Sequence, residues 1–252
     1  MRLFGTGMDS HFLYMFLEIV QAGELWTLLY QSDVLPMTNL GGLPGNNARW
    51  FSACIVSGIE HVHNALWVYR DMKLENLLVD AMGYSKIVDF GFAKRLPRGK
   101  KTQTLCGTPE YFAPELVLSK GHDRAADYWA MGIVIYELIC GRTPFAHDDQ
   151  SMIFMKIVQC SKSLEFPKGF PRKARSIIKQ LLHPNASHRL GMGRGGCLDI
   201  RKHRWFTGID WETLEDRKYK APWSPALKNE TDTSLFEEYE EEVEVAEFEG
   251  ED

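Results

Sequence analysis

Four polar residues have the types and the spacing that phosphoryl transfer requires. Asp71, Lys73 and Asn76 lie close together in sequence, and Asp89 follows them in the run Asp89-Phe90-Gly91. A substrate hydroxyl is a poor nucleophile and the transferred group is highly charged, so the reaction needs an oriented carboxylate and nearby positive charge. We predict that Asp71 accepts the hydroxyl proton and that Lys73 neutralises the γ-phosphate.

The same stretch also predicts a nucleotide and a metal. Carboxylate and amide oxygens are the ligands that Mg²⁺ prefers, and Asn76 and Asp89 supply one of each. The apolar runs 77–79 and 86–88 flank a turn at 80–83, which predicts a β-hairpin. Such a hairpin would direct Asn76 and Asp89 into one cleft, so we expect ATP and Mg²⁺ as cofactors.

Hydrophobic patterning predicts the elements that position these residues. Alternation favours a buried strand over residues 12–20, after a first short strand over residues 2–6. Asn46 is a candidate N-cap for a helix that reaches about residue 65, and residues 125–139 are apolar on nearly all sides, as in a central buried helix. Shorter helices are predicted over 24–30, 151–159, 172–182 and 198–203.

Composition indicates one globular unit with an acidic end. The chain has 252 residues, of which 44% are hydrophobic and 25% charged. Its net charge of -5 is uneven, because residues 237–252 hold ten acidic residues and no basic ones. A solvated, disordered tail is favoured there over a specific acidic ligand. The preceding residues are therefore net basic, with 29 Lys and Arg against 24 acids.

Cysteine usage and hydropathy indicate the cellular compartment in which the protein is expected. The five cysteines are scattered and never form a Cys-x-x-Cys pair, which argues against a disulfide framework and a zinc site. The most apolar stretches are short and carry Glu18 and Glu137, so we expect no membrane span. We predict a cytoplasmic protein that has no nucleic-acid partner.

Three motifs in order identify the family that the chain resembles. Residues 69–76 and Asp89-Phe90-Gly91 are followed by residues 107–115, which read GTPEYFAPE. This series resembles the AGC group of serine/threonine protein kinases. The run Lys120-Gly121-His122-Asp123 is more similar to cGMP-dependent than to cAMP-dependent kinases.

The resemblance implies a fold and its division. We expect an α+β, protein-kinase-like fold with a mainly helical large lobe and a truncated small-lobe β-sheet. Residues 1–20 would be the remnant of the small lobe and the hinge, residues 21–206 the large lobe, and residues 207–252 an acidic, partly disordered C-terminal tail.

Nucleotide and catalytic positions follow from the same motifs. The resemblance assigns Asp71 and Lys73 to catalysis and Asn76 and Asp89 to the metal. It places Glu18 and Val20 at the adenine through hinge backbone groups, Leu78 on the floor of that pocket, and Glu75 beside the nucleotide. Two structural supports are also implied, namely a Glu115–Arg189 pair and contacts from Asp127 to the backbone at Tyr69 and Arg70.

Regulation and substrate choice are implied as well. Thr104 matches the activation-loop phosphosite, modified by an upstream kinase or by autophosphorylation, and its phosphate would pair with Arg70 and Lys94. Thr108 would contact the catalytic loop. Three acids match positions that receive arginines before the phosphoacceptor, so protein substrates with Arg or Lys before Ser or Thr are expected. These acids are Glu24, Glu75 and Glu137.

The chain also departs from the family pattern. It lacks the glycine-rich loop, the strand lysine and the glutamate that pairs with it, and residues 5–10 only echo the glycine loop. Leu74 stands where proline is usual. Two alternatives therefore stay open beside an active kinase. One is a non-catalytic interaction module, and the other is an incomplete fragment of a longer cyclic-nucleotide-dependent kinase.

Overall fold

Helices make up most of the regular structure after residue 24. The computed structural model of the protein describes residues 1–30 and 34–236. The helices are α1 (Leu25–Tyr30), α2 (Gly45–Asn64), α3 (Pro114–Val117), α4 (Ala125–Cys140), α5 (Gln150–Val158), α6 (Cys160–Ser163), α7 (Arg172–Leu181), α8 (Cys197–Arg201) and α9 (Trp211–Glu215). The strands are β1 (Leu3–Met8), β2 (Leu13–Leu17), β3 (Trp67–Val68), β4 (Leu77–Val79), β5 (Ser85–Ile87) and β6 (Lys94–Arg95).

The strands form antiparallel pairs rather than one sheet. Within the described ranges the pairs are β1 with β2, β3 with β6, and β4 with β5. In the N-terminal ribbon of β1 and β2, Gly7 lies opposite Tyr14 and Met8 opposite Leu13. This arrangement of a largely helical body and a two-stranded remnant is the α+β, kinase-like fold that the sequence predicts.

The predicted burial of the second strand is wrong. β2 ends at Leu17, and every residue of it is exposed, with Leu13 at 72% and Met15 at 63%. Met8 on β1 is 81% exposed. Alternating apolar residues predict a strand correctly, but burial also needs a layer packed on one face of the sheet, and a two-stranded ribbon alone supplies none.

The core lies around α4. All sixteen residues of α4 are buried, as its all-round apolar pattern predicts. α2 and α7 pack against it, and Gly132 allows the close approach of α7, because a Cβ there would meet the Cβ of Leu181 at 2.9 Å. α4 ends at Gly141, whose left-handed backbone with a φ of 60° caps the helix.

The predicted N-cap of α2 is also wrong. Pro44 occupies the N-cap position, and no side chain caps the helix there. Asn46 lies inside the first turn, where its Oδ1 accepts a hydrogen bond from Arg49. Proline with its fixed φ starts a helix without a side-chain acceptor, so the polar residue nearby is not needed as a cap.

Two predicted supports of the large lobe are confirmed. Arg189 is almost fully buried and donates to Glu115 through both terminal nitrogens, at 2.7 and 3.0 Å. Asp127 on α4 accepts from the backbone amides of Tyr69 and Arg70 at 2.9 and 2.8 Å. These contacts attach the loop that carries Asp71 to the buried central helix.

The segment after α9 runs back to the start of the large lobe. The Tyr84 hydroxyl donates to the carbonyl of Tyr219, and Gln21 Nε2 donates to the carbonyl of Glu230 at 3.1 Å. Gly23 has a φ of 76°, and a Cβ there would lie 2.5 Å from the carbonyl oxygen of Leu235. The predicted acidic tail, residues 237–252, lies outside the described residues.

All five cysteines are free, and four of them are buried. Among the described residues, no helix is long and apolar enough to cross a membrane.

Candidate active site

The hairpin of β4 and β5 brings two predicted metal ligands, Asn76 and Asp89, to the same end of the hairpin. Leu77 pairs with Ile87 and Val79 with Ser85, and the Val88 amide donates to the carbonyl of Asn76 at 3.0 Å. Asn76 therefore immediately precedes β4, and Asp89 follows β5 at the same open end of the hairpin. The predicted hairpin is confirmed.

Three predicted residues surround the carboxylate of Asp71. Asn76 Nδ2 donates to the Asp71 carbonyl at 2.8 Å and to Oδ2 at 2.9 Å, and Lys73 Nζ lies 3.5 Å from Oδ2. The Thr108 hydroxyl donates to Asp71 Oδ1 at 3.3 Å and accepts from Lys73 Nζ at 3.2 Å. Asp71 is 4% exposed. One amide, one ammonium and one hydroxyl thus fix the orientation of a buried carboxylate.

Two site residues have a strained backbone. Arg70 has a φ of 74° and Asp89 a φ of 48°, in the left-handed region that side chains other than glycine rarely adopt. Asp127 holds the Arg70 amide, and Asp89 Oδ1 accepts from the Gly91 amide at 3.0 Å. Strain of this kind is found where the surrounding contacts hold a loop in a functional conformation.

The ends of the hairpin have the donor chemistry of a Mg²⁺ site. The amide nitrogen of Asn76 is used by Asp71, so its Oδ1 is the atom left for a cation. Asp89 is exposed and uses one carboxylate oxygen on Gly91. Oxygen atoms from one amide and one carboxylate, completed by phosphate and water, suit a hard divalent cation.

The predicted nucleotide residues line the junction between the ribbon and the large lobe. Val20 is buried, and in the described part of the chain its backbone amide and carbonyl have no hydrogen-bond partner. Leu78 on β4 forms an antiparallel bridge with Glu24. The Glu18 amide instead donates to Arg2, and its side chain pairs with Lys86 at 2.8 Å. That ion pair was not predicted, and it lowers the pKa of Glu18.

The predicted phosphosite Thr104 and the basic residues predicted to pair with its phosphate differ in exposure and in hydrogen-bond partners. Thr104 is exposed, whereas Thr102 is buried and bridges His122 through the backbone. Lys94 Nζ donates to the Thr102 hydroxyl at 2.9 Å. Arg70 Nε donates to the Phe92 carbonyl, but within residues 1–30 and 34–236 its Nη1 is buried without a partner, and so is His122 Nε2.

Glu137 lies inside a small cluster of acids and phenols. It is 3% exposed, and its two oxygens accept from Tyr30 at 2.8 Å and from Tyr111 at 2.7 Å. Burial raises the pKa of Glu137 to about 7, and the charges of Glu75 and Glu110 add to that rise, while the two phenol hydrogen bonds oppose it. Glu75 is partly buried, and its Oε2 has no hydrogen-bond partner in the part of the chain that the structure describes.

Comparison with known protein families identifies the family of this chain. The family described as Protein kinase domain matches residues 1–206 of this chain. The chain belongs to the protein kinase domain family.

Several relatives of this kinase domain are cGMP-dependent protein kinases. The cGMP-dependent protein kinase egl-4 of Caenorhabditis elegans is 46% identical over 239 residues, which make up 94% of this chain and 30% of that protein. The cGMP-dependent protein kinase, isozyme 2 forms cD5/T2, of Drosophila melanogaster is 42% identical over 94% of this chain and 25% of its own length. For cGMP-dependent protein kinase 2 of Homo sapiens the identity is 40%, over 94% of this chain and 30% of the relative.

These matches confirm the predicted resemblance to a cGMP-dependent, AGC-type catalytic region. The kinase domain spans between a quarter and a third of the length of these relatives.

Some contacts of the kinase domain were not visible in its sequence. Tyr30 is the clearest case, because it lies far along the chain from Glu137 and no motif includes it. His122 was noted only as part of a family motif, although its buried Nε2 lies in the same small cavity wall as Arg70. The residue types gave a partial signal for both, since phenols and imidazoles are common partners of buried carboxylates and phosphates.

Proposed function

We propose that this kinase domain is an ATP-dependent protein serine/threonine kinase that transfers the γ-phosphate of ATP to Ser or Thr in basic peptides. The observation that carries the proposal is the cluster of Asp71, Lys73, Asn76 and Thr108. The proposal includes the predicted division into a small-lobe remnant, a large lobe and a tail. It also includes Glu18, Val20 and Leu78 as the residues that line the adenine site.

The cluster supports an in-line transfer. The substrate hydroxyl gives its proton to Asp71 as its oxygen bonds to the γ-phosphorus, and the bond from that phosphorus to the bridging oxygen of ADP breaks. Lys73, held by Thr108 beside Asp71, offsets the charge on the γ-phosphate. Mg²⁺ held by Asn76 and Asp89 would neutralise phosphate charge and orient the nucleotide.

The acids near the large-lobe cleft support a basic substrate. Glu24, Glu75 and Glu137 are the predicted arginine sites, and Glu75 Oε2 is a buried oxygen without a donor. A buried carboxylate oxygen that lacks a donor gains most from a guanidinium, which presents its donors in a planar fork. Arginine before the acceptor residue is therefore the expected substrate feature.

Phosphorylation of Thr104 is the proposed activating modification. Arg70 Nη1 is a buried donor without a partner, and Arg70 is adjacent in sequence to the catalytic aspartate. A phosphate on the exposed Thr104 would give that donor an anionic acceptor and would order the segment that carries Thr108. Either an upstream kinase or a second molecule of the same kinase would supply the phosphate.

One observation favours a second candidate function, a non-catalytic interaction module. The ribbon of β1 and β2 is exposed, with Leu13 at 72% and Met8 at 81%, so it offers an apolar surface to a partner. Such a module would keep the peptide groove and bind ATP weakly.

Phosphate transfer from Mg-ATP to an arginine-rich serine peptide separates the two candidates. The purified chain is compared with Asp71→Asn, and Asp148→Asn serves as a matched control because Asp148 is exposed on the surface. Transfer by the wild type and Asp148→Asn, with a loss of roughly a thousandfold or more in Asp71→Asn, supports the kinase. Peptide binding by a folded chain that transfers no phosphate favours the interaction module instead.

A further inference from the structure

Glu137 is closed to a substrate in this structure, although it is one of the proposed arginine sites. Its carboxylate is 3% exposed, and each oxygen already accepts a phenol hydrogen bond, one from Tyr30 and one from Tyr111. A guanidinium that binds this carboxylate in the usual two-pronged manner needs both oxygens on one edge. Each oxygen can accept a second hydrogen bond, but Glu137 is only 3% exposed, so a guanidinium reaches it only after a group that covers it moves aside.

The two phenols differ in their freedom to move. Tyr111 is 8% exposed and lies in the buried segment before α3, so its movement would disturb the core. Tyr30 is 40% exposed and is the last residue of α1. Its ring lies beside the Trp26 ring at a centroid distance of 5.3 Å, and part of its side chain already faces solvent. Tyr30 is thus the one of the pair that leaves at low cost.

We propose that Tyr30 is a gate on the arginine site: its hydroxyl closes Glu137 in the free protein and gives way to the guanidinium of a substrate. The inference rests on the proposed substrate class and adds a specificity-determining residue to it. In the closed state Glu137 Oε1 accepts a hydrogen bond from a neutral phenol. In the open state it accepts one from a charged guanidinium instead.

The electrostatics of the cluster agree with a closed, cation-free state. The groups with the largest effect on the charge of Glu137 among the described residues are Tyr30, Tyr111, Glu75 and Glu110, which are phenols and acids. Burial and the two acids raise the pKa of Glu137 to about 7, so the closed site holds a proton in a large fraction of molecules near neutrality. An arriving guanidinium replaces that proton as the balancing charge.

The hydrogen bond from Tyr30 competes with the arginine of a substrate for Glu137. It therefore lowers the apparent affinity of the protein for that arginine. Removal of the Tyr30 hydroxyl should therefore strengthen arginine binding by about two- to tenfold, the range typical of one hydrogen bond. The gain should be confined to peptides that carry arginine, because only the guanidinium competes for Glu137.

Peptide binding tests the gate without any need for catalysis. Fluorescence anisotropy measures the Kd of an arginine-rich serine peptide and of the same peptide with citrulline, the uncharged analogue, in place of arginine. Tyr30→Phe keeps the ring and removes the hydroxyl, and Tyr30→Leu removes the ring as well. Tyr14→Phe is the matched control, since Tyr14 is also exposed and its hydroxyl donates to a carboxylate, that of Asp9 at 2.6 Å.

The expected result is tighter binding of the arginine peptide by both Tyr30 variants, with no change in Tyr14→Phe and none for the citrulline peptide. Unchanged binding in the Tyr30 variants overturns the gate, and weaker binding shows that the hydroxyl helps to hold the arginine. Absence of arginine-dependent binding in every folded variant overturns it too. Phosphate transfer is measured separately, so a chain that binds the peptide and lacks activity fails only the proposed kinase function.

Discussion

The N-terminal ribbon is richer in apolar residues than the large lobe, yet its residues are exposed whereas the centre of the large lobe is buried. In the large lobe, α4 is buried along its whole length, and the residues around it hold the backbone at Tyr69 and Arg70 in place. In the ribbon, every residue of β2 is exposed. The difference shows that an apolar pattern specifies a strand or a helix locally, whereas burial depends on a second layer that the pattern does not encode.

The largest expected effect is on the buried ion pair of the large lobe. Arg189→Leu removes the guanidinium and leaves Glu115 as a buried charge without its partner, so the free energy of unfolding should fall by about 3–5 kcal/mol. Urea denaturation followed by circular dichroism measures it. Arg194→Leu is the control, because Arg194 is exposed and its loss should change stability by less than about 0.5 kcal/mol. An equal effect of the two substitutions would contradict the contrast between a tightly packed interior and a tolerant surface.

The parts of the molecule that the sequence predicted well are those with local causes. The hairpin of β4 and β5 follows from a turn between two short apolar runs, and α4 follows from its length and all-round apolar pattern. The cap at Asn46 was mispredicted because Pro44, two residues earlier, starts the helix by its fixed φ. Each of these outcomes involves residues that are close in sequence.

The remaining features depend on contacts between distant parts of the chain. Motif spacing placed Asp71, Lys73, Asn76 and Thr108 in one site, because the family resemblance carries their three-dimensional arrangement. No spacing could indicate the bond from Tyr30 to Glu137, since the two residues lie on different helices, 107 positions apart. The exposure of β2 was missed for the same reason, as it depends on what packs against the strand.

A second test concerns how stability inside the large lobe depends on pH. Burial raises the pKa of Glu137 from 4.5 to about 7, so between these values the folded protein binds more protons than the unfolded chain and loses stability as the pH rises. Glu137→Gln does not ionise. The stability of this variant relative to the wild type should increase between pH 5 and pH 8, by at most about 3 kcal/mol.

Urea denaturation of both proteins at the two pH values measures the change. Glu212→Gln is the matched control, because Glu212 is exposed and the same substitution there should give no such trend. A relative stability of Glu137→Gln that is equal at pH 5 and pH 8 would mean that the carboxyl titrates normally despite its burial.

The smallest effect is expected in the ribbon. Phe16 on β2 is 58% exposed, so Phe16→Ser should lower the free energy of unfolding by less than about 0.5 kcal/mol. The equivalent change in the core, Phe51→Ser on α2, removes a fully buried ring and should cost roughly 3–5 kcal/mol, as much as the loss of the buried ion pair. Thermal unfolding of both variants measures the contrast. A large loss in Phe16→Ser would show that the ribbon is buried in solution, for instance against a second molecule.

The contact between Gln21 and Glu230 also bears on how the protein folds during synthesis. The two residues are 209 positions apart, and the carbonyl of Leu235 closes over Gly23 in the same place. Contacts of such long sequence separation form late, because their loop-closure entropy is offset only after the intervening chain is compact. On the ribosome, the large lobe can collapse before the residues that contact Gln21, which lie 209 positions further along the chain, have been made.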